Sequence, residues 1–242
     1  MKRFHIMLYA TFLLTVISGL TTNHLANDQT ISGVSTTDKV VALTIDDGPH
    51  YKVTPQILTI LKEKQVRATF FVLGENVEHC PQIFAQEVAD GHEIGTHTYS
   101  HKTLSKLSPQ KLSEEFDKAE KVIRTTAPKP TLFRPPGGFY NSQVLALAHQ
   151  KGYQVVLWSV DPQDWNRPPT QEVIDKVLKE VKPGSIILLH DGQYPLPTPQ
   201  ALGVIIDRLR ERGYEFVTVS ELLQHREMLP IFNMGRKWLS RF

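Results

Sequence analysis

Thr44-Ile45-Asp46-Asp47-Gly48-Pro49 is the stretch on which the fold turns. An apolar run from Val40 to Ile45 leads into it, and Gly48-Pro49 turns the chain sharply away. Nowhere else in the chain are two aspartates adjacent. A strand that ends in two carboxylates and a turn holds them at the rim of a sheet. There they can meet polar groups carried by the ends of other strands.

Working outward, one rhythm repeats. Apolar strands are expected at 40–45, 69–73, 92–96, 131–134, 154–159, 185–190 and 215–219, with helical patterns between them. Thr54-Pro55, Ser108-Pro109 and Thr198-Pro199 each place a capping side chain before a proline at the first helical position. Leu112, Phe116, Ala119 and Ile123 share one helical face, as do Leu202, Ile205, Ile206 and Leu209. Gly91, Gly152 and Gly213 stand where a helix gives way to a strand and a left-handed C-cap is wanted. Alternating units of this kind predict an α/β fold, a distorted (β/α) barrel with about seven parallel strands. A flat doubly wound sheet is disfavoured, because no Gly-rich phosphate loop follows the first strand.

The 242 residues suffice for one domain with a full core, and 40% apolar and 21% charged content is that of a globular protein. A net charge of +2 argues against a nucleic-acid partner. Cys80 is the only cysteine, so neither an internal disulfide nor a cysteine-based zinc cluster can form. Lys2 and Arg3 precede an apolar run from Ile6 to Leu20. As a helix that run would be about 22 Å long at ~1.5 Å per residue, short of a hydrocarbon core of ~30 Å. Residues 1–26 are therefore read as a signal peptide or membrane anchor, and the protein as exported: secreted, periplasmic or held on the outer face of the cytoplasmic membrane. Residues 27–37 read as a linker, 38–225 as the domain and 226–242 as a C-terminal tail. A monomer is expected.

The polar residues fall on the strand ends. Asp46 and Asp47 follow the first strand, His97 and His101 the third and Arg134 the fourth. Asp161 and Asp164 follow the fifth, and His190 and Asp191 close the sixth. In a parallel barrel these ends share one face, the face on which active sites sit. The His-x-x-x-His spacing alone is weak, since ten histidines produce about 0.4 such pairs by chance. Its weight comes from position: two imidazoles plus one carboxylate make a three-ligand site with open positions, suited to a catalytic divalent metal. One aspartate of the pair can join the metal while the other acts as a base. Arg134 can orient the free aspartate, and Asp164 can orient His190. Trp158 and Trp165 can wall a pocket for a sugar ring. Leu188 lies two residues before His190, so both face the same side of their strand.

At this point the chain resembles the polysaccharide deacetylases with a NodB homology domain, carbohydrate esterase family four. Five motifs carry the resemblance, in the family's order, over about residues 38–225. They are Thr44-Ile45-Asp46-Asp47-Gly48-Pro49, His97-Thr98-Tyr99-Ser100-His101, Arg134-Pro135-Pro136, Asp161-Pro162-Gln163-Asp164-Trp165 and Leu188-Leu189-His190-Asp191. The resemblance implies a catalytic set of Asp46 as base, His190 as acid, Arg134 holding Asp46 and Asp164 tuning His190. It implies Asp47, His97 and His101 as metal ligands, for zinc first and cobalt or nickel as alternatives. Leu188 and Trp158 would border the acetyl pocket. Gly137 stands where the family usually has a tyrosine, so its backbone N–H can serve the oxyanion while the groove wall loses a side chain.

The activity so implied is metal-dependent removal of N-acetyl groups from an N-acetylglucosamine-type polysaccharide, peptidoglycan or a chitin-like glycan, with release of acetate. Two alternatives stand beside it: an O-acetyl (xylan) esterase using the same site, and a non-catalytic glycan-binding domain.

Overall fold

Each apolar run read as a strand forms one. The structure, a computed structural model, describes residues 30–227 of the chain. The strands are β1 (Val40–Asp46), β2 (Thr69–Val72), β3 (Glu93–Thr96), β4 (Leu132–Phe133), β5 (Gln154–Val155), β6 (Ile186–His190) and β7 (Glu215–Val217). Every ladder is parallel, and the order runs β5-β4-β3-β2-β1-β6, with β7 pairing the first half of β1. The helices are α1 (Thr54–Glu63), α2 (Gly74–His79), α3 (Pro81–Ala89), α4 (Pro109–Ile123), α5 (Ser142–Gln150), α6 (Thr170–Glu180), α7 (Thr198–Glu211) and α8 (Val219–Leu222). Gly91, Gly152 and Gly213 have φ of +79°, +83° and +82°, as the left-handed turn after a helix requires.

The ring of strands closes irregularly between β5 and β6. The fifth strand, expected over 154–159, stops at Val155, and the chain then bends until Val160 bridges Ile187. The gap this leaves is filled by part of the segment read as a linker. Ile31 bridges Val156, Gly33 bridges Ser185, and Val34 is buried. The linker reading is thus corrected for residues 31–37: a strand gap exposes backbone donors and acceptors, and this segment satisfies them. The far boundary shifts too, since Glu227 accepts from the backbone N–H and hydroxyl of Thr37. The signal or anchor segment and nearly all of the tail lie outside the described residues. No helix among the described residues is long and apolar enough to cross a membrane.

Alternation along the strands sorts the core. Leu43, Ile45, Phe70, Val72, Ile187 and Leu189 face outward and pack with Ile57 and Leu61 of α1 and Leu202 and Ile206 of α7. Each such side chain gives ~1.5–3 kcal/mol on burial. The other face fills the barrel with Ala42, Phe71, Leu132, Val156 and Ile186. Arg134 stacks on Phe71 at 4.2 Å and is itself fully buried. Gly95 makes room for this stack, because a Cβ there would lie 2.5 Å from the Phe71 ring. The barrel is therefore a packed floor, and the polar site rests on it.

Two of the three expected helix caps have another function. Ser108 does cap α4, accepting from the Lys111 N–H. Thr54 and Thr198 are instead the first residues of α1 and α7, and neither helix has a side-chain cap. Their hydroxyls donate to buried carboxylates, Thr54 to Asp191 at 2.5 Å and Thr198 to Asp164 at 2.6 Å. A buried carboxylate costs more when left without a donor than a helix end that water can reach.

Candidate active site

Strand alternation would point Asp46 and Asp47 to opposite faces of the sheet. A left-handed turn at Asp47, φ +77°, brings both carboxylates to one pocket. The turn is held by the Asn76 side chain, which donates to the Asp47 carbonyl at 2.6 Å, and by the Asp47 N–H, which donates to the Phe71 carbonyl. After β3 the chain is again left-handed at Thr98 (φ +70°) and His101 (φ +55°). A β-branched residue in that region is a genuine outlier.

Glu115 of α4 anchors the loop. Its carboxylate accepts from the N–H groups of Tyr99 and Ser100, the Ser100 hydroxyl and Lys102. Burial works against its charge, but Ser100 and Lys102 outweigh burial and hold it below the usual glutamate range.

These two loops bring together three donors. His97 Nδ1 lies 2.7 Å from the Arg134 carbonyl oxygen, an acceptor only, so Nδ1 carries the proton and Nε2 offers a lone pair. His97 Nε2 and His101 Nε2 each lie 3.4 Å from Asp47 Oδ1. Burial lowers the His97 pKa, against the pull of Asp46 and Asp47. One ligand atom from each residue falls within 4.8 Å of the others. Asp47 Oδ1 is buried with no hydrogen-bond donor among the described residues. Two imidazole nitrogens and a carboxylate facing one another beyond hydrogen-bond distance are the donor set and spacing that a divalent cation fits.

Asp46 ends β1 and is buried. Arg134 donates to its Oδ1 at 2.6 Å and to Thr44 Oγ1 at 2.8 Å. Two further guanidinium nitrogens donate to the carbonyls of Val156 and Leu157. Every guanidinium nitrogen thus has a partner, which is how a cation is tolerated at zero exposure. The carbonyls come from the irregular stretch after β5, so the strand's early end serves the site.

His190 ends β6, and its Nδ1 lies 2.8 Å from Asp164 Oδ1. Asp164 is fully buried and also accepts from the N–H groups of His190 and Trp165 and from the Thr198 hydroxyl. Burial opposes a charged imidazole. The bond and charge of Asp164, with Asp46 and Asp47 adding to it, override burial and lift the His190 pKa to about 9. A cation among Asp47, His97 and His101 would offset part of that rise.

The sequence reading placed Asp191 at the end of the sixth strand but gave it no role. Its carboxyl lies against Gly48, where a Cβ would fall 2.4 Å from its oxygens. It accepts from Thr54, and burial pushes its pKa up. Glu87 of α3 is buried with neither oxygen partnered among the described residues, and burial together with the Asp191 charge raises its pKa.

The pocket has a volume of about 550 Å³. Leu188, Trp158, Trp165 and Gly137 line it, as expected, and so do Asp161, Gln193 and Phe139. Gly137 itself gives the wall no side chain, and a neighbouring ring stands there instead. The Phe139 ring folds over it, 3.0 Å from where a Cβ on residue 137 would stand. Glu115 and Phe139 were the residues missed, and Asp191 was placed without a role. A charge on the apolar face of α4, one position before Phe116, was a readable signal for the first.

Comparison with known proteins agrees with this geometry. A family profile described as polysaccharide deacetylase matches residues 33–156. The chain is 42% identical over 196 residues to a peptidoglycan-N-acetylglucosamine deacetylase of Bacillus cereus, across 80% of this chain and 92% of that one. It is 38% identical over 196 residues to a chitooligosaccharide deacetylase of Bradyrhizobium sp., across 75% and 90%. A crystal structure of a peptidoglycan N-acetylglucosamine deacetylase, bound to a naphthalenyl N-hydroxybenzamide, superposes with a TM-score of 0.80 at 35% identity, over 83% of this chain and 95% of that one. Motif order, barrel, donor cluster and these likenesses together make the chain a member of the polysaccharide deacetylase family.

Proposed function

We propose that this protein hydrolyses the N-acetyl groups of an N-acetylglucosamine-type polysaccharide, peptidoglycan or a chitin-like glycan, outside the cytoplasm. The observation that carries this reading is one pocket with two opposed proton-handling groups. Asp46 is fixed by Arg134, His190 is held protonated by Asp164, and the Asp47–His97–His101 cluster lines the same cavity.

A divalent cation on Asp47, His97 and His101, zinc being the expected ion, would polarise the amide carbonyl and acidify the attacking water. Asp46 takes a proton from that water as its oxygen bonds to the carbonyl carbon. Arg134 keeps the Asp46 carboxylate aimed. The Gly137 N–H is the proposed protein donor to the oxyanion, a contact worth ~2.7–4 kcal/mol in comparable sites. As the carbon–nitrogen bond breaks, His190 gives its proton to the departing amine. Acetate leaves, and the sugar keeps a free amine. Leu188 and Trp158 offer the apolar surface on which the acetyl methyl would rest.

The test is acetate release from N-acetylglucosamine oligomers and from peptidoglycan, before chelation, after it, and after zinc is restored. Release that vanishes and returns is the expected result. Release from acetylated xylan alone would transfer the reading to an ester. Silence on all three by protein that binds one metal per chain would leave a glycan-binding domain.

A further inference from the structure

Phe139 borders the pocket yet has no part in this chemistry. It follows the short turn Pro136–Gly138 and is 68% exposed, the most exposed large apolar side chain among the described residues. Two glycines put it there. A Cβ on Gly138 would lie 2.8 Å from the Trp158 ring, and one on Gly137 would lie 3.0 Å from the Phe139 ring. Both glycines are left-handed, with φ of +73° and +62°. The backbone therefore doubles back after Pro136, Trp158 packs beneath it, and the Phe139 ring covers the space above residue 137.

Folding does not ask for this placement, since an exposed ring forgoes most of the benefit of burial. Trp165, 46% exposed, lines the same cavity from the loop after β5. The two open rings thus come from neighbouring loops, after β4 and β5, while the donor cluster comes from the loops after β1 and β3. Sugar rings offer C–H faces that pack on aromatic rings while their hydroxyls stay in water.

We propose that Phe139 is a specificity-determining platform that stacks on a sugar ring next to the one whose acetamide reacts, so that the protein favours glycan chains over single sugars. This rests on the deacetylase reading. The platform gives binding energy to the glycan chain without touching the reacting atoms, so its removal shows in KM.

The test compares the full chain with Phe139→Ala, Phe139→Leu and Phe139→Trp, using acetate release from the N-acetylglucosamine pentamer. Phe139→Ala is expected to raise KM about tenfold with kcat within about twofold. Phe139→Trp should restore KM, and Phe139→Leu, equally apolar but without a ring face, should not. An unchanged KM in Phe139→Ala, a loss confined to kcat, or full rescue by leucine overturns the platform while leaving the deacetylase reading intact. A wild-type chain that releases acetate from neither pentamer nor peptidoglycan overturns the reading itself, and the platform with it.

Discussion

The loops after β1 and β3 hold Asp47, His97 and His101 on backbone that is left-handed at Asp47, Thr98 and His101. The loop after β5 is left-handed too, at Gln163 and Arg167, but there Asp164 and His190 of β6 are tied by hydrogen bonds, and the two Asp164 oxygens accept four of them. On the first side a buried oxygen, Asp47 Oδ1, lacks a protein donor among the described residues, and two imidazole nitrogens each lie 3.4 Å from it. On the second side each Asp164 oxygen has its donors. Left-handed non-glycine residues cost ~1–3 kcal/mol each and occur on both sides, so the difference lies in the unpartnered oxygen. On the proposed reading the first side takes a cation that would help hold it together. On the same reading the second, whose Asp164 oxygens are all partnered, carries a proton.

If that division is real, the two sides should fail separately. The largest effect is expected from His190→Ala, which should lower kcat by roughly 10²–10⁴ through loss of the acid. Asp46→Asn should do the same through loss of the base. Elemental analysis should still find one metal per chain in both variants. A His190→Ala protein that no longer holds metal would break the comparison, because the acid side would then be supporting the cluster.

On the cluster side, Glu115→Ala should lower metal affinity by about 10–100-fold, the usual cost of losing a group that orients a ligand loop. Titration calorimetry reads the affinity directly. Activity at saturating metal should recover, and the alkaline limb of the pH profile should stay in place. A shifted limb with normal metal affinity would assign Glu115 to the wrong side.

The residues legible in the sequence were those whose chemistry has a local pattern. Seven strands could be read because apolar runs between capped helices repeat, and the converging polar groups could be read because each stands at a strand end. Thr54 and Thr198 were misread for the opposite reason. A threonine before a proline carries a local capping signal, whereas Asp191 and Asp164 lie 137 and 34 residues away in the chain. The irregular closure at 156–160 was equally hidden. It depends on Ile31 and Gly33, which composition assigned to a linker, and on the two carbonyls that Arg134 claims. Phe139 was missed because its place is set by the φ of two glycines before it.

The acid side is sharpened by Asp164→Asn. Asp164 is what overrides burial and keeps the His190 pKa near 9, so an uncharged amide should let it fall towards or below the ordinary ~6.5. In kcat/KM the alkaline limb reports the acid of the free enzyme. It should therefore move to lower pH, and the loss at pH 8 should exceed the loss at pH 6. With metal bound, the wild-type limb should lie somewhat below 9, because the cation offsets the share due to Asp46 and Asp47. Stability of the metal-free protein has the same sign. The raised pKa contributes fully below ~6.5 and is lost as pH rises through about 9, and Asp164→Asn should flatten that fall. An alkaline limb that stays put would show that His190 is not the group the profile reports.

Thr198→Val should have the smallest effect, and it separates two accounts of one hydroxyl. As a donor to buried Asp164, Thr198 is worth ~1–3 kcal/mol, because valine keeps the shape and leaves Asp164 Oδ2 with only the His190 N–H. As a helix cap it would be worth a similar ~0.5–2 kcal/mol, so valine alone does not distinguish them. Aspartate does. It is among the best capping residues, so a capping Thr198 would tolerate Thr198→Asp with little loss. Beside the Asp164 carboxylate the same substitution sets like charges together in a buried place, and the melting temperature should fall below that of Thr198→Val. Metal affinity should stay unchanged in both, since the hydroxyl belongs to the side that holds the proton.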